Sequence, residues 1–508
     1  MIRREFVRNS LFGLGALAMG RARLFAAEAS ARGLNVLWIG VDDLRCNLGC
    51  YGDAMAVTPN IDALARRGTI FSRAYVQQAV CSASRASLLT GCRPDTTNVD
   101  YPYNKGFTDT FLPAHPSLPL YFSRRGYGTR CGGKIHHGGA IDLKDLPLES
   151  PYWYREWYYD AAGNRVAIDD LQALLGDDAR REAARAGGFV DDYVLRHDGK
   201  PPAYECADAA DTDYRDGRLA ASAVDAIRRH AADGAPFFVA AGFYKPHLPF
   251  NAPKRYWDLY DRERFVLPAN RRLAANVTPL APASYELPAY DGGQIDFGDE
   301  ARLRLLTHGY YACASFTDAN IGKLLDELER QKLADRTIVM LWSDHGFHLG
   351  ENQSFGKHTC FEVATRSPLI VAAPGFKGGQ VCRALTEYVD IFPTMCDLAG
   401  LEKPDYLEGA SLVPFLEDPA RPGKTAAFSQ WPRNKNAEGF SIRTDRHRYT
   451  EWRSRSGEGP RAGDVVAREL YDHETDAFEA VNLADEQPAL VAELSAKLAA
   501  GWRAAQAG

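Results

Sequence analysis

No two of the chain's ten cysteines are spaced Cys-x-x-Cys, and ten thiols in 508 residues are too dilute to staple a disulfide-built scaffold. Zinc ribbons and disulfide miniproteins are thereby excluded. Long hydrophobic runs are also lacking: beyond the first thirty residues, charge interrupts every apolar stretch within a dozen positions, so none is long enough to cross a bilayer. Nor is there an excess of one charge. The 60 Lys and Arg face 66 Asp and Glu, and a net charge of −6 over this length provides no field favouring nucleic acid or an anionic membrane as partner. An anionic substrate has to be held by a local site. Repeats and low-complexity tracts are absent. What is present, 45% apolar side chains in a long chain, is the composition of a globular protein with a large core, and the length allows two or three domains.

The first 31 residues read as a targeting segment. Arg3, Arg4 and Arg8 form a basic start, Ser10 to Gly20 an apolar stretch, and Ala27-Glu28-Ala29 a small-residue cleavage site. Arg3-Arg4 ahead of Glu5-Phe6-Val7 resembles a bacterial twin-arginine signal, with an ordinary secretory signal or an amphipathic N-terminus as the alternative. A periplasmic or secreted protein is the expectation.

Residues 34–41 form a continuous apolar run ending in Asp42-Asp43, the pattern of a strand buried on both faces. Thr58-Pro59-Asn60 then opens a helix. Residues 237–243, closing on Lys245-Pro246-His247, and residues 337–342, closing on Ser343-Asp344-His345-Gly346, repeat the strand pattern, with a helix around Leu324-Leu325 before the latter. These runs predict an α/β fold: a large, mixed, mostly parallel sheet between helices. In such sheets ligands gather at the carboxyl ends of strands, so these polar groups can converge. Residues 161–188, rich in Ala, Asp and Arg, read as an inserted helical excursion. Beyond about residue 422 the texture changes to short alternating runs and a closing helix from Pro488. The expected organisation is a targeting segment at 1–31, a catalytic domain at 32–422 and a smaller α+β subdomain at 423–508.

Two acidic strand ends, Asp42-Asp43 and Asp344-His345, can supply the oxygen ligands of a hard divalent cation. Calcium suits them better than magnesium because it accepts about six to eight ligands in irregular geometry. His345 would add a nitrogen or a hydrogen bond. A helix cap or a solvated loop is the alternative use of such a pair.

Residues 81–91, Cys81-Ser82-Ala83-Ser84-Arg85 through Thr90-Gly91, resemble the maturation signature of the type I sulfatases, in which the cysteine is oxidised to formylglycine. Residues 126–136, Gly126-Tyr127-Gly128-Thr129-Arg130 through Lys134-Ile135-His136, resemble their second signature. Within that family the chain resembles the iduronate-2-sulfatase group in Asp42-Asp43-Leu44-Arg45, Gln77-Gln78-Ala79-Val80-Cys81, Arg93-Pro94-Asp95, Lys245-Pro246-His247 and Ser343-Asp344-His345-Gly346. The likeness runs over nearly the whole mature chain.

The resemblance implies an alkaline-phosphatase-like fold and hydrolysis of a sulfate ester, with an exo-acting carbohydrate sulfatase on a sulfated uronic acid or polysaccharide fragment as the expected form. A formylglycine-dependent phosphonate or phosphodiester hydrolase and a catalytically silent glycan-binding relative are its rivals. It implies one calcium ion held by Asp42, Asp43, Asp344, His345 and the modified Cys81, and a formylglycine-generating maturase as a partner. Arg85 would hold the modified residue, Lys134 and Lys357 would bind sulfate oxygens, and His247 would be the general acid to the leaving oxygen. The histidine that takes the proton releasing sulfate is His136 by general sulfatase spacing and His137 by that of the iduronate group. A hydrated aldehyde at position 81 would offer one hydroxyl to attack sulfur and a second whose deprotonation expels sulfate.

Arg45 and Arg93, next to the motifs, are candidates to grip a substrate carboxylate or are surface arginines. The aromatic stretch 152–159 could stack on sugar rings or cover the sheet. Cys46, Cys50, Cys92 and Cys131 are expected to pack as small apolar groups, and Cys382 with Cys396 is the pair that could close a disulfide after export.

Overall fold

The computed structural model describes residues 33–99, 106–137, 202–283, 286–290, 295–433, 436–455 and 463–506, with the paired strands Trp157–Tyr159 and Arg165–Ala167. The targeting segment and most of the aromatic stretch lie outside the described residues. So does most of the expected helical excursion, although its residues 165–167 are a strand rather than a helix.

The seven strands of the main sheet are β1 (Asn35–Val41), β2 (Thr69–Phe71), β3 (Gly128–Gly133), β4 (Phe237–Phe243), β5 (Thr337–Ser343), β6 (Leu369–Ala372) and β7 (Gln380–Cys382), in the order β7-β2-β6-β5-β1-β4-β3. β3, β4, β1 and β5 are mutually parallel, and β6 runs against its neighbours. The four parallel strands therefore deliver their carboxyl ends to one edge. Every residue of β1, β4 and β5 is buried because helices cover both faces. The period-two alternation assigns the side chains: Val36, Trp38, Phe238, Met340 and Trp342 pack on one face with α2 (Cys81–Thr90). Leu37, Ile39, Val41, Val239 and Leu341 pack on the other against Ile61 and Leu64 of α1 (Pro59–Arg67) and Leu324 and Leu328 of α4 (Glu300–Arg330). The helix α3 (Arg215–Asp233) covers β4 on that second face through Leu219, Ala223 and Ile227. Each fully buried aliphatic side chain contributes about 1.5–3 kcal/mol, so these layers rather than helix propensity hold the sheet. Gly40 has no alternative residue: a Cβ there would stand 2.5 Å from the Trp342 ring.

The C-terminal sheet is an antiparallel meander of β8 (Ala427–Pro432), β9 (Ala437–Arg443), β10 (His447–Ser454) and β11 (Val465–Asp472). The closing helix, Pro488–Ala504, lays Leu494 and Leu498 on Phe440, Ile442, Tyr449 and Leu470. Its edge strand β8 faces the main body. Gln430 N–H donates to the Gln77 carbonyl (2.8 Å), Ser429 Oγ to the Val76 carbonyl (2.6 Å) and Phe428 N–H to Glu387 (2.9 Å). Just after it, the Arg433 guanidinium donates to the carbonyls of Leu280, Ala281 and His358. No helix among the described residues is long and apolar enough to cross a membrane.

Two expectations are corrected here. Cys382 and Cys396 are not joined; the described residues include all ten cysteines and no disulfide among them, and this pair packs as buried thiols in the core around α2. Arg93 is buried and forks onto Glu387 (2.8 and 2.6 Å) with its guanidinium 4.8 Å from the Trp502 ring centre, so it serves the contact with the C-terminal helix. Cys92 and Cys131 are buried as expected, while Cys46 and Cys50 are half-buried.

Candidate active site

Asp42 and Asp43 leave β1, Asp344 and His345 leave β5, Lys134 follows β3, and His247 follows β4. Cys81 is the first residue of α2, and Lys357 directly follows the small hairpin His348–Leu349/Phe355–Gly356. Asp43 takes a left-handed backbone (φ 62°), a conformation aspartate tolerates better than most residues, and its N–H donates to Asp344 Oδ1 (3.1 Å). This turn lets consecutive carboxylates enter the same site. Tyr310 secures it by donating its hydroxyl to the Asp43 carbonyl (2.7 Å).

Asp42, Asp43 and Asp344 are all fully buried, and unpaired buried charge is costly. Each has a cation. Arg85, one helical turn beyond Cys81, donates Nη2 to Asp42 and Nε to Asp344, both at 3.0 Å, and Nη1 to the carbonyls of Lys134 and Ile135. Its guanidinium lies 5.3 Å from the centre of the Trp342 ring. Lys134 Nζ contacts Asp42, and Lys357 Nζ lies 2.8 and 2.9 Å from the two oxygens of Asp43. Lys134 can come this close because Gly242 has no side chain: a Cβ there would strike the Lys134 carbonyl.

Burial works against the charge on Asp42, but Lys134, His247 and Arg85 outweigh it and hold its carboxyl well below the usual range. Asp344 moves the other way: burial, which Arg85 does not fully offset, raises it, and Asp42 adds to the rise. Burial and then Asp42 push the Cys81 thiol well up. Unmodified, Cys81 is therefore a poor thiolate nucleophile.

His345 Nδ1 lies 2.9 Å from the Gly346 carbonyl, which only accepts, so Nδ1 carries a proton and Nε2 is the nitrogen turned into the site. Nε2 faces Cys81 Sγ at 3.3 Å and Asp43 Oδ1 at 3.4 Å. At this site the possible metal-ligand atoms fall into two groups sharing Cys81, each within 4.8 Å: Asp42, Asp43, Cys81 and His247, and Cys81, Asp344 and His345. Three carboxylates, one imidazole nitrogen and residue 81 form an oxygen-rich donor set that fits a hard divalent cation. All five residues expected as ligands are thus brought together, and His247 joins them.

His247 Nδ1 is fixed on the Leu248 carbonyl at 2.6 Å, turning Nε2 towards Asp43 Oδ2 (4.0 Å) and Glu286 Oε1 (3.9 Å). Burial and Arg85 lower His136 well below the usual imidazole range. His137 is lowered to about 3 by burial and then by Lys134, and it also feels Asp42, Arg85 and Lys357. Of the two, His137 has the environment of the charged cluster.

Sequence reasoning missed Glu286. Its carboxylate is ion-paired with Lys357 Nζ at 2.9 Å and stands 3.9 Å from His358 Nε2 as well as from His247. Burial opposes its charge, but Lys357, His247 and His358 prevail and keep it well below the usual carboxylate range. Nothing in its surroundings, Leu287-Pro288-Ala289, marks it as a site residue. Arg45, expected either at a substrate carboxylate or at the surface, instead spends Nη1 on Glu351 (2.8 Å) and the Phe347 carbonyl (3.0 Å).

A family profile described as sulfatase matches residues 34–401, and one described as N-sulphoglucosamine sulphohydrolase, C-terminal, matches residues 350–504. The chain is 30% identical to iduronate 2-sulfatase of Homo sapiens, over 90% of this chain and 92% of that protein. It is 28% identical to a sulfatase of Formosa agariphila, over 89% and 83% of the two chains. Among solved structures, the phosphonate monoester hydrolase of Agrobacterium radiobacter superposes with TM-score 0.73 at 24% identity, covering 93% of this chain and 95% of that one. A 2-O GAG sulfatase superposes with TM-score 0.65 at 24% identity, covering 92% and 91%. The solved structures share this fold, and the profile match over residues 34–401 adds the assignment: the chain belongs to the sulfatase family of sulfuric ester hydrolases.

Proposed function

We propose that the protein removes sulfate from a carbohydrate, as an exo-acting enzyme on a sulfated uronic acid or a related polysaccharide fragment, with Cys81 converted to formylglycine and one calcium ion beside it. The carrying observation is the crowding of three buried aspartates, His345 and Cys81 at one strand edge, with Lys134, Lys357 and His247 around them. The relatives named as iduronate 2-sulfatase and 2-O GAG sulfatase support a carbohydrate ester.

When present, formylglycine and the cation together supply a nucleophilic hydroxyl and withdraw charge from the sulfate. The chain's own residues do the rest. Arg85 ties Asp42 to Asp344 and braces the start of its own helix. Lys134 and Lys357, compact ammonium groups on flexible stems, turn from their aspartates to sulfate oxygens. His247, with Nδ1 locked on a carbonyl, presents Nε2 to the ester oxygen and gives it a proton as the sugar departs. His137, in the field of Lys134, Asp42 and Lys357, takes the proton that frees sulfate. The same reading includes export through residues 1–31, maturation of Cys81 by a formylglycine-generating enzyme, and a division into a catalytic part to residue 422 and a C-terminal part from 423, with β8 opening the second sheet.

The test is parallel turnover of an aryl sulfate, a phosphonate monoester and a phosphodiester by protein coexpressed with a maturase. The mass of the peptide containing residue 81 is read alongside. Formylglycine with a clear preference for the sulfate is the expected result. A preference for phosphorus would move the protein to the activity of its phosphonate monoester hydrolase neighbour, and glycan binding without release would make it a silent scaffold.

A further inference from the structure

Most of the charged cluster is sealed: the side chains of Asp42, Asp43, Asp344, His345, Arg85 and Lys357 are 0% exposed. Two side chains of the site are exposed to the same extent, His247 and Glu286, each at 24%, with Nε2 and Oε1 3.9 Å apart. They share the rim. If His247 protonates the ester oxygen, whatever is attached to that oxygen passes Glu286.

Glu286 also depends on a cation that has two other uses. Lys357 lies 2.9 Å from Glu286 and 2.8 Å from Asp43, and in the proposed reaction it turns to a sulfate oxygen. One ammonium cannot serve three anions equally. When sulfate recruits Lys357, Glu286 is left partly buried with His247 and His358 only at 3.9 Å, beyond hydrogen-bond reach. A carboxylate in that position takes a replacement donor, and the donor arriving at that moment is the substrate.

We infer that Glu286 reads the leaving sugar, its carboxylate accepting a hydrogen bond from the ring hydroxyl next to the ester oxygen as Lys357 transfers to the sulfate. This rests on the sulfatase reading of the same site and adds a specificity residue to it. The ligand class is a vicinal hydroxy-sulfate: a sugar whose sulfated carbon has a free hydroxyl on its neighbour. A sulfate ester lacking that donor leaves the carboxylate uncompensated. A hydrogen bond to a charged group is worth about 1.5–3 kcal/mol, about ten- to a hundredfold in kcat/KM.

The experiment crosses two enzymes with two substrates. A panel of mono-O-sulfated hexosamines and hexuronates identifies the sugar sulfate that the matured wild type turns over best. Its partner substrate is deoxy at the carbon next to the sulfate, and the second enzyme is E286Q. Removing the hydroxyl is expected to cost wild type about tenfold or more in kcat/KM and E286Q less than about threefold. Equal costs in both enzymes would overturn the inference, because Glu286 would then act only through Lys357 or His247. Turnover of 4-nitrophenyl sulfate with no sugar sulfate accepted would overturn it as well. Sulfate release from no substrate at all would instead overturn the sulfatase reading beneath it.

Discussion

Arg85 stands one helical turn after Cys81 on the same ten-residue helix, so the cation that pins Asp42 and Asp344 at 3.0 Å each is rigidly coupled to the residue they surround. Moving one moves the other.

Arg85→Ala removes the cation from two fully buried carboxylates and is expected to cost about 3–5 kcal/mol of stability in chelator-treated protein, read by urea unfolding. Arg85→Lys, a single point charge that cannot fork onto both carboxylates, is expected to recover only part of that. A loss below about 1 kcal/mol for the alanine variant would mean that Lys134 and Lys357 carry the charge balance alone.

Chelation is expected to abolish turnover and lower the melting temperature, with calcium restoring both better than magnesium at equal concentration. Calcium at about a hundred times its Kd should add about 2.7 kcal/mol to the metal-free protein. Asp344→Asn should lose most of that increment in differential scanning calorimetry. An unchanged increment would remove Asp344 from the ligand set.

The two histidine roles separate kinetically. His247→Ala should lose far more activity on alkyl sulfates, with poor leaving groups, than on activated aryl sulfates; equal losses would take the acid role away from His247. His137→Ala should retain one rapid turnover per enzyme and stall before the second, whereas His136→Ala should cycle. A stall in the His136 variant alone would exchange their assignments.

Stability should carry a pH signature from Glu469, a residue of β11 in the C-terminal sheet. It is buried, accepts from Trp452 Nε1 and the Tyr471 hydroxyl at 2.7 Å each, and burial still pushes its carboxyl up from 4.5 to about 7. Between those values the folded protein binds more protons than the unfolded chain, so this contribution is fully present below pH 4.5 and lost as pH rises to about 7. The shift of about 2.5 pH units, at about 1.36 kcal/mol each, bounds the effect at about 3 kcal/mol. Glu469→Gln can keep the Trp452 bond on its amide oxygen and donate its NH2 to the Tyr471 hydroxyl oxygen, and should flatten this slope relative to wild type in urea titrations from pH 5 to 8; parallel curves would show that the carboxyl stays ionised throughout.

What could be read from the sequence was local. Asp42-Asp43 and Asp344-His345 announce themselves because buried parallel strands are continuous apolar runs that stop at polar ends, and Cys81 with Arg85 through the resemblance of residues 81–91 to the sulfatase maturation signature. Adjacency in sequence misled at Arg93: α2 ends at Gly91 with φ 70°, and the chain turns away from the site towards Glu387. Glu286 and Arg433 were illegible for the opposite reason. They reach the site or its supports across more than seventy residues through tertiary packing, and no spacing rule records that approach.

The β8 strand sets a schedule. Cys81 is 2% exposed, and the backbone at Val76 and Gln77 leading to it is tied to Ser429 and Gln430, some 350 positions later in the chain. An enzyme that modifies this cysteine would have to reach it before folding buries it. On the proposed conversion of Cys81, chemical completion of the site and physical completion of the fold would compete in time, and slowing the C-terminal sheet is expected to raise the modified fraction.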